Sequence, residues 1–199
     1  MFRYLTTFSV VAMLAVTLPA SAQETNSDAS EPETGAQLDL GQPVDDGPQL
    51  GERYSKDKFG DWDLACIKIE ADVDPCSMLQ ILTDESGNAV AEMSLFRLDG
   101  DGQAVAGATV IVPLETLLPA QLTIAIDGAN GKRYNYSYCN PIGCVATIGL
   151  TQEDIDALKR GNSAVISLVP APAPDQRVSL ELSLKGFTAG YDVVDVVKN

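Results

Sequence analysis

The sequence predicts an all-β protein, an antiparallel β-sandwich of about nine strands and one short helix. Short runs of alternating apolar and polar residues recur after Phe59, and turn sequences separate them about every ten residues. Only one segment has the composition of a helix, so the chain lacks the strand–helix–strand rhythm of a parallel sheet. Together these features favour one domain made of two packed antiparallel sheets.

The N-terminus has the layout of a secretory signal peptide over residues 1–22. Arg3 provides a short basic region, residues 8–18 form an uncharged apolar run, and Ala20 and Ala22 form an A-x-A cleavage site. The apolar run is about half the roughly 20 residues that a bilayer crossing needs. We therefore expect an exported protein of the periplasm or cell envelope, or a secreted one, with no membrane span after cleavage.

Residues 23–57 are predicted to form an acidic, disordered linker. Residues 23–52 contain eight acidic residues and no Lys, Arg or aromatic residue. A segment of this kind cannot bury enough apolar surface to offset the entropy of ordering it. The β-sandwich domain is therefore expected over residues 58–199.

The net charge of −15 restricts the classes of partner, and it becomes −16 when Arg3 is removed with the signal peptide. Affinity for nucleic acid comes from Lys and Arg that neutralise phosphates, so nucleic acid is not an expected partner. Anionic lipid surfaces are disfavoured for the same reason. A basic protein would be attracted, although the simpler role of this charge is solubility.

The strands follow from alternation and turn residues. Trp62, Leu64 and Cys66 share one side of an early strand, and residues 84–88 and 99–102 have the composition of turns. Residues 177–185 alternate most regularly, which is typical of a strand with one buried and one solvated face.

One segment is predicted to be helical. Thr151 can cap its N-terminus, Ile155 and Leu158 share a face, and Gly161 ends it. The three prolines within residues 170–174 then predict a stiff connector, because proline cannot occupy a central strand.

The four cysteines are Cys66, Cys76, Cys139 and Cys144, which allow three pairings. The hairpin pattern favours local pairs, Cys66 with Cys76 and Cys139 with Cys144. Each bridge is expected to contribute roughly 2–3 kcal/mol to stability. The spacing lacks the C-x-x-C of dithiol oxidoreductases, and the chain has no His to complete a zinc site, so structural disulfides are favoured.

Catalytic patterns are sparse, and neither a catalytic site nor a metal or cofactor is predicted. The absence of His excludes Ser-His-Asp and Cys-His arrangements. Residues 99–102 resemble a calcium loop but lack the bidentate Glu near Val110, so a hairpin turn is preferred. Carboxylate pairs remain, at Asp61 with Asp63 and within residues 153–156, and they leave a glycan hydrolase of the cell envelope as the alternative function.

Three tyrosines form the candidate interaction surface. Tyr134, Tyr136 and Tyr138 alternate with polar residues, as on one face of a strand. Facing solvent, they would form a recognition stripe. Facing inward, which their polar neighbours favour, they would be core residues with hydroxyls at the margin.

Six short motifs occur in order along the chain. They are residues 58–66 (KFGDWDLAC) and 76–80 (CSMLQ), residues 112–119 and 126–128, and Cys139 with residues 143–146 (GCVA) and 183–188 (SLKGFT). Together they resemble the invasion-associated locus B family of alphaproteobacteria. The resemblance covers about residues 58–194 in order.

This resemblance implies an immunoglobulin-like antiparallel β-sandwich in the periplasm or cell envelope, with the four cysteines in two local bridges. It supplies no catalytic residues. We therefore expect a non-catalytic envelope protein that binds a protein partner in the envelope or at a host surface, or that stabilises an envelope assembly. A role in host-cell invasion is an expectation for relatives only.

Overall fold

The structure is a computed structural model in which residues 39–44 and 47–198 are described. The chain divides into two units, Met1–Val44 and Asp45–Asn199. Residues 39–44 of the first unit are exposed and have no regular secondary structure. The predicted signal peptide, 1–22, and most of the predicted linker lie outside the described residues. In the described part of the chain, no helix has the length and apolar character needed to span a membrane.

The second unit contains two β-sheets. The strands of the larger sheet are β1 (Arg53–Phe59), β2 (Trp62–Ile67), β3 (Cys76–Thr83), β4 (Ala89–Asp99), β5 (Ala104–Val112), β8 (Tyr138–Asn140), β9 (Gly143–Thr151) and β12 (Val196–Lys198). Their order is β1-β2-β3-β4-β5-β9-β8, and β12 pairs in parallel with one end of β4. The smaller sheet consists of β6 (Leu122–Ile126), β7 (Lys132–Tyr134), β10 (Ser163–Leu168) and β11 (Val178–Ser183), in the order β11-β10-β6-β7.

The predicted all-β sandwich is confirmed, because inward-facing side chains of both sheets form one buried core. Two counts differ from the prediction. The described residues form 12 strands, and two α-helices are present, α1 (Gln152–Arg160) and α2 (Phe187–Val193), with a 3₁₀ helix at Leu118–Ala120. The additional strands are short edge or terminal segments, which hydrophobic alternation detects poorly.

The folded domain begins earlier than the predicted boundary at residue 58. Strand β1 starts at Arg53. The Gly51 N–H also donates to the carbonyl of Lys68, the residue after β2, so the hydrogen bonding between the two segments continues to residue 51. Sequence reasoning missed β1 because it is a charged edge strand with an irregular register between Ser55 and Asp57. Edge strands commonly carry such charges and bulges, which weaken the alternating pattern.

Helix α1 forms where the sequence predicts it. The Thr151 side chain accepts a hydrogen bond from the Asp154 N–H, and the Asp154 carboxylate accepts one from the Thr151 N–H, which together make a capping box. Ile155 and Leu158 are its buried residues, and Gly161 is the C-cap.

Helix α2 packs against the buried tryptophan. The Phe187 ring meets Trp62 edge-on with centroids 5.5 Å apart, and Tyr191 stacks on Phe187 at 5.8 Å. The N-cap, Gly186, has a left-handed backbone with φ of 86° and offers no side chain for capping. Gly190 lies inside the helix, and a Cβ there would be 2.8 Å from Met78 Cε. Sequence reasoning missed α2 because the short helix contains a glycine, Gly190, and its N-cap is a glycine with no polar side chain.

Two glycines allow the β1–β2 turn to cross the β11–α2 connection. A Cβ on Gly186 would lie 2.0 Å from the Phe59 carbonyl oxygen, and one on Gly60 would lie 2.5 Å from the Lys185 carbonyl oxygen. Both glycines have positive φ, which disfavours other residues. The motifs at residues 58–66 and 183–188 are therefore in direct contact.

The same crossing contains a polar clamp between the two sheets. Gln80 is buried on β3 and faces the end of β11. The Ser183 N–H donates to Gln80 Oε1 at 2.8 Å, and Gln80 Nε2 donates to the Ser183 carbonyl at 3.0 Å. Trp62 Nε1 donates to the same carbonyl at 2.8 Å. The clamp satisfies backbone groups that an edge strand otherwise leaves unpaired.

Candidate interaction surface

Both disulfides join residues that lie directly opposite each other on neighbouring antiparallel strands. Cys66 of β2 is bonded to Cys76 of β3, and Cys139 of β8 is bonded to Cys144 of β9. These are the local pairs that the hairpin pattern favours. In the described part of the chain, no cluster of three or more His, Cys, Asp or Glu residues could hold a metal ion.

The three tyrosines do not form one stripe. Tyr134 ends β7 in the smaller sheet, Tyr138 begins β8 in the larger sheet, and Tyr136 lies between them. The expectation of a single strand face was wrong because the chain passes from one sheet to the other at residues 135–137. Tyr134 and Tyr136 are half-buried against the core, whereas Tyr138 is 57% exposed.

Tyr136 packs against the core. Its hydroxyl is buried and has no hydrogen-bond partner among the described residues. Burial raises the pKa of Tyr136 to about 12, so the side chain stays neutral at physiological pH.

A mainly apolar row of side chains crosses the outer face of the larger sheet. Ile81 of β3 pairs with Glu92, Glu92 with Ile111, Ile111 with Val145, and Val145 with Tyr138. Directly opposite residues on paired strands project from the same face. Ile81 is 46% exposed, so this outer face leaves apolar side chains in solvent at both ends of the row.

A groove of about 580 Å³ lies along this row. Its lining includes Ile81, Val90 and Ile111, and Ile142 contributes from the β8–β9 turn. Ile142 is 72% exposed, which is unusual for an isoleucine. We refer to Ile81, Ile111, Leu114, Tyr138 and Ile142 as the apolar surface.

The Cys139–Cys144 bridge fixes the turn that presents Ile142. The Ile142 N–H donates to Asn140 Oδ1 at 3.0 Å, which closes the turn on itself. Gly143 approaches β5 so closely that a Cβ there would lie 2.4 Å from the Val112 carbonyl oxygen. The bridge and this contact together place Ile142 beside the groove.

A second, smaller groove of about 180 Å³ shares Val90 and Pro113 with the first. It is lined by Leu114 and by prolines of the predicted stiff connector, Pro170 and Pro172. The Ala171 N–H donates to the Glu115 carbonyl at 2.6 Å, and Leu117 N–H donates to the Val169 carbonyl at 2.8 Å, which holds the two loops together. Leu114 is 50% exposed, so the apolar surface continues onto this loop.

An ion pair supplies the polar part of the larger groove. Arg53 donates two hydrogen bonds to the Glu92 carboxylate, at 2.6 and 2.9 Å. The hydrogen bond to Glu92 raises the pKa of Arg53 above its ordinary value. Exposed pairs of this kind contribute only about 0–1 kcal/mol to stability. The main consequence of the Arg53–Glu92 pair is that the charge of Glu92, which lies within this mainly apolar row, is neutralised.

The carboxylates that suggested hydrolysis have structural partners. Asp61 accepts a hydrogen bond from the Ser183 hydroxyl, and Asp63 accepts one from the Ser55 hydroxyl. Burial acts to raise the pKa of Asp154, but hydrogen bonds from Lys132 and Thr151 outweigh it and hold the pKa below its ordinary value. Asp154 therefore stays ionised near neutral pH, which does not suit a general acid.

Asp154 and Glu153 also line a cleft of about 270 Å³ beside α1. The cleft walls are mainly apolar, with Ile124, Ile126 and Leu158 among them. The helix cap and Lys132 both hold the Asp154 carboxylate, and its lowered pKa is the opposite of the raised pKa that the general acid of a glycosidase has.

Comparisons with known proteins agree with this fold. The family model described as "Invasion associated locus B (IalB) protein" matches residues 62–195. Invasion protein B homologues from two Brucella abortus strains, 2308 and biovar 1 strain 9-941, are each 26% identical over 148 residues, which cover 74% of this chain and 83% of the homologue. The crystal structure of invasion associated protein B from Bartonella henselae is similar with a TM-score of 0.56 and 24% identity, over 67% of this chain and 89% of that one.

Proposed function

Because the chain belongs to the invasion associated locus B family, we propose that it is an exported, non-catalytic envelope protein that binds another protein through the apolar surface. The observation that carries this proposal is the exposure of Ile81 and Ile142 beside one groove. Large contiguous patches of exposed apolar surface are uncommon on monomeric proteins and often coincide with interaction sites.

The chemistry of the surface favours a protein partner. Aliphatic and aromatic side chains form the centre, and the Arg53–Glu92 pair supplies polar groups within the same groove. Protein interfaces combine apolar contacts with a smaller number of polar groups that form hydrogen bonds across the patch. The grooves have room for side chains of an extended segment or an exposed loop. The net charge of −15 disfavours nucleic acid as the partner.

Export into an oxidising compartment is part of the proposal. Both disulfides are consistent with it, since such bridges persist outside the cytoplasm. Fractionation of intact cells tests this part: we expect release with the periplasmic fraction, cleavage near residue 22, and four oxidised cysteines. Recovery from the cytoplasm with free thiols would refute it.

Site-specific photocrosslinking in the native host tests the binding surface. A photoreactive phenylalanine analogue is placed at Ile81 or Ile142, and at Val73 as the control. Val73 is 71% exposed and apolar, like Ile142, but lies in the loop before β3, whereas Ile81 lies near the far end of that strand. We expect one discrete protein adduct at Ile81 and Ile142, identified by mass spectrometry, and none at Val73. Equal adducts at all three positions, or none at any, would contradict the proposal.

The names of the relatives associate them with invasion. We propose no invasion mechanism for this chain. The identity of the captured partner distinguishes action in the bacterial envelope from action at a host surface. A partner of the bacterial envelope would favour a stabilising role there, and a host protein would favour action at the host surface.

A further inference from the structure

We propose that the Cys139–Cys144 bridge is a site of thiol–disulfide exchange, with a protein dithiol as its reaction partner and Cys139 as the attacked residue. The Cys66–Cys76 bridge is the structural one. This assignment rests on a difference in access between two bridges that are otherwise alike.

The two bridges have similar local geometry. Each joins directly opposite residues of an antiparallel pair, and each has a Cα–Cα distance of 4.0 Å. Backbone separation therefore gives no reason for them to react differently. Exchange also depends on which sulfur a thiolate can reach, and on the access to it.

Access differs because the bridges lie at different places in the sheet. β2 and β3 are interior strands, and both Cys66 and Cys76 are buried. Cys76 is fixed further by the C-terminal segment, since its N–H donates to Asp195 Oδ2 at 2.6 Å. A reductant can reach this bridge only after the domain opens.

Cys139 lies instead on an edge strand. β8 is three residues long and pairs with β9 on one side only. Cys139 is exposed, whereas Cys144 is buried in the core. Because Cys139 is the exposed residue of the bridge, we expect an incoming thiolate to attack its sulfur, with Cys144 as the leaving group.

The exchange proceeds in two balanced steps. A thiolate of the dithiol attacks Cys139 Sγ, the Cys139–Cys144 bond breaks, and Cys144 Sγ leaves as a thiolate that takes up a proton. The second thiol of the partner then attacks the partner sulfur that is bonded to Cys139, which forms the partner disulfide and releases Cys139 as a thiol. Two electrons pass to the bridge, and the partner dithiol becomes a disulfide.

Reduction would change the turn that presents Ile142. Without the bridge, β8 keeps its three pairs with β9, the Ser137 N–H bond to the Val145 carbonyl and the Ile142 N–H bond to Asn140 Oδ1. None of these is covalent, so we expect Tyr138 and Ile142 to be held less firmly. The exchange itself is independent of the proposed binding surface. Only its effect on partner binding rests on that surface.

Differential alkylation of the exported protein tests the proposal, with the second bridge as an internal control. The native protein is treated with dithiothreitol or reduced thioredoxin, quenched with acid, alkylated and digested, and each cysteine is quantified by mass spectrometry over time. We expect Cys139 and Cys144 to become labelled at least about tenfold faster than Cys66 and Cys76. Equal rates, or faster labelling of Cys66 and Cys76, would overturn the assignment.

Trapping identifies the attacked sulfur. A thioredoxin variant without its resolving cysteine stops the reaction at the mixed disulfide. We expect the adduct on Cys139, and an adduct on any other cysteine, or no adduct, would contradict the mechanism. Hydrogen exchange then tests the conformational effect: amides of β8 should lose protection on reduction while those of β2 and β3 keep it, and unchanged protection of β8 would refute that effect.

Discussion

Replacing Gln80 with methionine tests how the two sheets are joined. The substitution nearly conserves side-chain volume but removes both hydrogen bonds from Gln80 to the backbone of Ser183. The Ser183 carbonyl keeps its bond from Trp62 Nε1, so only the Ser183 N–H is left without a partner. The cost should therefore come mainly from one partly buried donor, the Ser183 N–H.

The expected loss of unfolding free energy follows from this single unpaired N–H group. An unsatisfied buried polar group costs about 1–3 kcal/mol, and a volume-conserving apolar replacement adds less than about 1.5 kcal/mol. We expect Gln80→Met to reduce the free energy of unfolding by about 2 kcal/mol. For a domain of this size, that corresponds to a decrease in melting temperature of about 4–8 °C.

Urea unfolding followed by tryptophan fluorescence measures the effect, with both disulfides intact. The chain has one tryptophan, Trp62, which belongs to the clamp and reports on its opening. The control is Gln176→Met at an exposed position, which should change stability by less than about 0.5 kcal/mol. A loss below about 0.5 kcal/mol for Gln80→Met would refute the reasoning, since the clamp would then contribute nothing net.

Three further predictions concern other contacts of the domain. In chemical denaturation, Gly186→Ala should destabilise the domain by at least about 3 kcal/mol because its Cβ would collide with the Phe59 carbonyl. Gly128→Ala, also at positive φ but in open space, should cost about 1–2 kcal/mol. Equal losses for the two variants would contradict the close crossing of the two chain segments. Backbone hydrogen bonds from Ser163 and Asn162 lower the pKa of Asp127, so its stabilisation is present above about pH 4 and disappears as the pH falls through the lowered pKa. Melting curves of wild type and Asp127→Asn should thus converge in acid, and a constant difference at every pH would be inconsistent with this. Cys66→Ser should cost about 2–5 kcal/mol, more than any substitution within residues 23–52 such as Leu40→Ser at an exposed site, and equal melting temperatures would count against a stabilising bridge.

The alternation of apolar residues was sufficient to predict the sandwich. Leu180 and Leu182 are buried as the pattern in residues 177–185 indicates, and Thr151 caps α1 as predicted. These features depend on local periodicity and capping, which a sequence displays directly. The position of Gln80 was also readable in principle, because it shares the inward side of β3 with Met78 and Leu82.

The apolar surface could not be predicted in the same way. Ile81, Ile111 and Tyr138 are far apart in sequence, and only the strand order brings them into one row. The tyrosine pattern was misleading because periodicity does not reveal that residues 135–137 cross between sheets. Helix α2 is similarly stabilised by Trp62 and Met78, through contacts that no local sequence signal records.

Binding of the captured partner to surface variants tests the central claim most directly. Calorimetric titration compares wild type with Ile81→Ser and Ile142→Ser, and with Val73→Ser as the matched exposed control. Hot-spot residues of an interface cost about 2 kcal/mol or more when truncated, and about 1.4 kcal/mol already corresponds to a tenfold change in affinity. We predict at least about tenfold weaker binding for both apolar-surface variants and unchanged binding for Val73→Ser. Unchanged affinity for Ile81→Ser and Ile142→Ser would contradict a binding role for this surface.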